Sequence, residues 1–246
     1  MSNRHSSRTS GFGRALVLLG CTAAAAGLVA QGVSATALVL RSAGPSAPAY
    51  RPGKALPDDA KVALKPGDTV TVLATDATRT FRGPGTFALA GTGKSDSPSA
   101  MGGRRGRFSA LRTAGIVPRS PTLWHVDVTQ SGKVCLADPG NVMLWRSNAA
   151  QTATLTVAAA GGATQTAQWP AGQATMAWPA SVPIAANTDY QLSLSGDAKP
   201  AHMTFTTLAP VPTDLTSVAQ ALITAHCDNQ LDLLIQTVPE AARTTS

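Results

Sequence analysis

The stretch KVALKPGDTVTVLATDATRTFRGPGTFALA, residues 61–90, decides the fold. Val62 and Leu64 precede a Pro66-Gly67-Asp68 turn. Val70 and Val72 then resume at a spacing of two, the period of a half-buried β-strand. TRTF, residues 78–81, reads as the next strand. Gly83, Pro84 and Gly85 mark a hairpin-like reversal into a third strand at 86–90. Nothing here has helical period. Upstream, ALVLRS (37–42) is another strand candidate, followed by turn-rich PSAPAYRPGKALPDD (45–59). Residues 36–93 therefore read as a small β domain.

Outward from this block, the alternation stops. Residues 94–120 read as a basic flexible linker: KSDSPSAMGG has linker composition, and Phe108 and Leu111 allow at most a turn or two of helix. Residues 121–210 then offer eight short strand candidates, LWHVDVT, GKVCLA, VMLW, ATLTVAA, TQTAQW, ATMAW, DYQLSLS and HMTFTTL, separated by turn residues. That rhythm predicts a β-sandwich. Trp124, Trp145, Trp169 and Trp178 all fall in it and read as packing anchors. Residues 211–239 predict one amphipathic helix, docked on the sandwich. Thr213 or Asp214 is the cap, Pro239 the stop, and Ile223, Cys227, Leu231, Leu234 and Val238 one apolar stripe. Asp228-Asn229 is a place where it could break in two. A short tail, 240–246, ends the chain. The predicted class is mainly β, two β modules with one C-terminal amphipathic α-helix. The acidic set agrees: twelve Asp against the single Glu240 favours turns and caps over solvated helix.

Two resemblances attach to these residues. KPGDTVTVLATDATRTFRGPGTFALA, through Gly67, Asp68, Gly83, Gly85 and Thr86, resembles the core repeat of FecR-like periplasmic domains over about residues 54–90. That resemblance implies a β-rich periplasmic interaction or sensing module. Tyr190, with Leu192 and Leu194 behind the PIAANT turn, resembles the late strand of fibronectin type III or Ig-like sandwiches, where a Tyr locks the corner. The chain as a whole resembles exported bacterial proteins of unassigned function.

The first 35 residues have the layout of an export signal. Arg4, Arg8 and Arg14 form a positive start, ALVLLGCTAAAAGLVA (15–30) an apolar run, and Val33 and Ala35 fit a cut before Thr36. LLGC (18–21) resembles a lipobox, and the alternative is a lipid anchor on Cys21. The run is shorter than the ~20 residues that span a bilayer, and no later segment is long and apolar enough, so no transmembrane span is expected in the mature chain. The expected location is the periplasm or the exterior. Removing three arginines takes the net charge from +7 to +4. It also leaves Cys135 and Cys227 as the only pair, which in an oxidising compartment predicts a disulfide between them. A catalytic cysteine is the sharper reading, but adjacent His226 would point about 100° away on a helix.

Residues 94–119 carry Lys94, Arg104, Arg105, Arg107, Arg112 and Arg119 against Asp96, so the basic excess sits in this one segment. Arg104, Arg105, Arg107 and Arg112 are a candidate patch for an anionic surface or partner. Only Phe108 could stack on a base, which argues against nucleic acid. Motifs for a nucleophile elbow, a P-loop, H-E-x-x-H or C-x-x-C are absent from the sequence, and no cofactor or metal is expected. The best polar pair is His125 and Asp127, which at i, i+2 on a strand would share one face. The leading expectation is a non-enzymatic binding, scaffold or sensing protein of the cell envelope, touching a protein or a glycan. The alternative is an envelope hydrolase or metal-dependent protein that uses the His125/Asp127 face.

Overall fold

The alternation in the opening stretch does form strands, but they serve two sheets. The computed structural model describes residues 35–57, 59–74, 77–89, 120–162 and 164–240. In the N-terminal part these are β1 (Ala35–Ala43), β2 (Ala55–Pro57), β3 (Lys61–Leu64), β4 (Thr69–Ala74), β5 (Ala77–Arg82) and β6 (Gly85–Ala88), with a one-turn 3-10 helix at Ala47–Ala49. One sheet has the order β2-β1-β4-β5, and β3 pairs with β6 in a second. The Gly83–Gly85 reversal is therefore not a hairpin turn, because β6 leaves β5 and joins β3. The reason is close backbone approach. Gly83 donates to the Asp68 carbonyl at 3.0 Å, and a Cβ on Gly83 would meet the Lys65 carbonyl oxygen at 2.0 Å. Only glycine lets the chain cross the 65–68 turn there.

Asp68 organises that turn from inside. Its carboxylate accepts the backbone N–H of Ser46 at 2.9 Å and that of Lys65. Ala37, Val39, Val62, Leu64, Val70 and Val72 fill the core between the two small sheets. Leu38, Leu40 and Leu73 point the other way, so β1 and β4 are covered on both faces. This explains the unbroken apolar run Ala37-Leu38-Val39-Leu40: a strand buried on both sides loses its polar alternation.

The second part contains β7 (Val126–Asp127), β8 (Gly132–Leu136), β9 (Met143–Trp145), β10 (Ala153–Ala159), β11 (Thr164–Trp169), β12 (Thr175–Ala177), β13 (Asp189–Leu194) and β14 (Ala201–Thr207). A five-stranded sheet runs β11-β10-β13-β14-β8, and a three-stranded sheet runs β12-β9-β7. Leu144 and Val126 from the smaller sheet share one core with Leu155, Val157, Tyr190, Leu192, Met203 and Phe205 from the larger, a sandwich-like arrangement. Tyr190 is fully buried; its hydroxyl accepts from Ala185 N–H and donates to the Pro183 carbonyl, both at 2.8 Å. Trp178 stands edge-on to both Tyr190 and Phe205. Trp169 is fully buried beneath the Arg146 guanidinium, whose carbon lies 5.0 Å from its ring. Arg146 is itself 2% exposed and donates to the carbonyls of Pro170 and Gln173.

The C-terminal region is two helices rather than one: α1 (Leu215–Ala225) and α2 (Asp228–Thr237). Asp214 caps α1 by accepting from Ser217 N–H at 2.9 Å. His226 ends it in the left-handed region, φ 59°, and Cys227 begins α2. Leu222, Leu231 and Leu234 of the pair pack in one core with Leu38, Leu40 and Leu73 of the N-terminal sheet and Cys135 of β8. The described residues, from Ala35 to Glu240, group as one compact unit. No helix among the described residues is long and apolar enough to cross a membrane.

Candidate functional site

Three elements converge beside β8: the turn before β7, the loop from β7 to β8, and α2. The disulfide between Cys135 and Cys227, with Cα atoms 5.9 Å apart and both residues fully buried, fixes the helix junction to β8. Gln230, one turn on, completes the attachment. Its Oε1 accepts from Cys135 N–H at 2.6 Å, and its Nε2 donates to the Cys135 carbonyl at 2.8 Å and the Leu123 carbonyl at 3.0 Å. The amide thus plays the part of a neighbouring strand along the outer edge of β8. Asn229 donates to the Ser131 carbonyl, holding the loop on the same helix. On the far side, Arg41 of β1 grips α2 through Asp228 and Asp232 at 2.6 and 2.8 Å.

A cleft of about 270 Å³ opens between these pieces. His125, Asp127 and Gln130 line it from one side, Asn229, Asp232 and Gln236 from the other, and the largely buried Trp145 also contributes to the lining. The expected shared strand face for His125 and Asp127 needs correction. Only Val126–Asp127 is strand, while His125 lies in the preceding turn, its N–H aimed at the Thr122 carbonyl. The two side chains nevertheless line one cavity. His125 Nδ1 lies 2.6 Å from the Thr122 hydroxyl, and burial pushes the imidazole pKa down, favouring the neutral ring. Asp127 is committed to its own loop: Oδ1 accepts from Thr129 N–H and Oγ1, and Oδ2 from Gln130 Nε2.

Among the described residues, no three His, Cys, Asp or Glu side chains gather where a metal ion could be held. His202 meets Asp189 at 3.7 Å on the exposed surface, and His226 is exposed at the helix break. Arg104, Arg105, Arg107, Arg112 and Cys21 lie outside the described residues. Sequence reasoning did not bring α2 to the His125 and Asp127 pair, and it missed the role of Gln230. A signal existed for Gln230: three residues after Cys227 and four before Leu234, it is a polar side chain on the apolar stripe. Comparison with known proteins gives no matching family model, no matching curated protein and no matching solved structure.

Proposed function

We propose that this chain is an exported, non-enzymatic binding protein of the bacterial cell envelope, acting on a protein or glycan partner. The observation that carries the reading is the buried Cys135–Cys227 bond, which ties α2 to β8 while α1 and α2 also pack on β1. Such a bond persists in an oxidising compartment. The clasp it forms makes a stiff frame beside a polar cleft, where His125 Nδ1 and the Asp127 carboxylate make hydrogen bonds within their own turns. The sheet order and the Tyr190 corner support the Ig-like reading of residues 121–210. The backbone crossing of Gly83 over the Gly67-Asp68 turn involves three of the five residues on which the FecR-like reading of 54–90 rests, and so lends it some support. Docking to an anionic surface through Arg104, Arg105, Arg107 and Arg112 stays part of the proposal.

The alternative, a hydrolase or metal-dependent protein using His125 and Asp127, draws on one observation: both line the cleft. Crosslinking the tagged full chain in its own envelope fraction, with intact-mass analysis with and without reductant, tests the leading reading. It expects a processed chain lacking residues 1–35, an oxidised cysteine pair and a specific crosslinked partner. A chain retained inside the cell with free thiols and no partner would overturn it. Loss of a hydrolytic or metal-dependent activity in His125→Ala would favour the alternative.

A further inference from the structure

We propose that the cleft between the β7–β8 loop and α2 binds one neutral sugar unit, recognised through adjacent hydroxyl groups. The inference rests on the binding-protein reading above and names the class of ligand. The cleft holds about 270 Å³, just below the ~300 Å³ at which pockets for drug-sized ligands begin, so it suits one ring and not a buried chain.

Its chemistry is set by which atoms the protein leaves without partners. Asn229 gives one of its two amide N–H donors to Ser131, and Gln130 one of its two to Asp127. Asp232 gives Oδ1 to Arg41. Among the described residues, Asn229 Oδ1, Gln130 Oε1 and Asp232 Oδ2 therefore keep free acceptor capacity. His125 supplies the complement. The Thr122 hydroxyl accepts from Trp124 N–H at 3.2 Å and has its own proton to donate to His125 Nδ1. That assignment places the neutral ring's hydrogen on Nε2, a donor without a protein partner among the described residues.

Acceptors and donors thus sit side by side, since the second N–H of Asn229 and of Gln130 joins that of His125, and such a mixed set favours a group that both donates and accepts over a charged ligand of either sign. An anion brings acceptors only and meets the Asp127 and Asp232 carboxylates. An ammonium brings donors only and leaves the imidazole N–H without an acceptor. A hydroxyl both donates and accepts, so neighbouring sugar hydroxyls can satisfy acceptor and donor together. Trp145 also lines the cleft but is only 4% exposed, so the hydroxyl contacts and not ring stacking carry the recognition.

The test is an NMR titration of the oxidised, 15N-labelled full chain with N-acetylglucosamine, glucose and mannose, each to about 10 mM, where millimolar affinity is readable. Glucuronate and putrescine serve as anionic and cationic comparisons. The expected result is one saturable curve for the His125 ring and the Gln130 and Asn229 side-chain amides with at least one neutral sugar. His125→Ala should weaken that affinity about tenfold at unchanged melting temperature, and His125→Gln, which keeps a donor, should restore part of it. Saturable shifts of these signals with putrescine or glucuronate alone, or none with any neutral sugar, overturn the proposal. A crosslinked protein partner recovered without a sugar response overturns this inference alone; absence of both removes the binding-protein reading too.

Discussion

At the scale of single residues, Gln230 shows how one side chain can close a sheet edge. Its amide pairs with both the N–H and the carbonyl of Cys135, out of reach of water. Gln230→Leu keeps the volume but leaves two buried backbone groups unpaired. A buried orphan group costs about 1–3 kcal/mol, so a loss of about 3 kcal/mol is expected in urea unfolding. A loss under about 1 kcal/mol would mean that water replaces the amide. Asp68 makes a second prediction. Burial works to raise its pKa, but the hydrogen bonds from Ser46 and Lys65 outweigh it and hold the carboxyl below its ordinary 3.8. A lowered folded-state pKa adds stability that is full above the ordinary value and lost as pH falls through the folded one. Asp68→Asn should therefore be less stable than wild type at neutral pH, and the gap should close below about pH 4. Urea midpoints across that range check it; a gap that stays constant with pH would assign the role of Asp68 to shape and not to charge.

Among the elements, the break between α1 and α2 turns on His226. An L-residue other than glycine at φ 59° is strained, and helix ends of this kind usually carry glycine. The side chain is exposed, so His226→Gly relieves strain without opening a cavity. We expect a gain of about 0.5 kcal/mol, the strain relieved less the extra chain entropy of glycine, read from thermal melts. An equal loss would show that the imidazole supports the junction. The same break shows what the sequence makes legible. Strands β10 and β11 coincide with ATLTVAA and TQTAQW because Leu155 and Val157 alternate against one core. The helix break showed only as an option at Asp228-Asn229, within two residues of the true junction, because Ile223, Cys227, Leu231 and Leu234 keep helical spacing across it and all meet the same core. The pairing of β6 with β3 was hidden for another reason: Gly83 crosses the 65–68 turn in space, and local spacing carries no record of that. Of the cleft, His125 and Asp127 were visible as a local pair, whereas Asn229 and Asp232 arrive from about a hundred residues away, brought by the disulfide.

For the whole molecule, the clasp sets how the parts unfold. α1 and α2 cover Leu38, Leu40 and Leu73 on one side and Cys135 on the other. Thr78 of β5 adds an N–H bond to the Pro239 carbonyl at 2.9 Å, and Arg41 holds both aspartates of α2. The exposed ion pairs add little in water, so the apolar contacts and the covalent bond carry the junction. The bond spans 92 residues, and a bridge closing such a loop stabilises by about 4.6 kcal/mol in the chain-entropy model. The Cys135→Ala, Cys227→Ala double variant should therefore melt about 10 °C below the oxidised protein. Because the helices serve both β parts, their release uncovers β1 as well as β8. Hydrogen exchange should then quicken at β1 together with α1 and α2, and the fluorescence of Trp124, packed against the shared core, should change in the same step. The oxidised protein should show one transition by all three probes. If β1 keeps its protection in the variant while α1 and α2 lose theirs, the helices belong to β8 alone, and the N-terminal sheet stands without them.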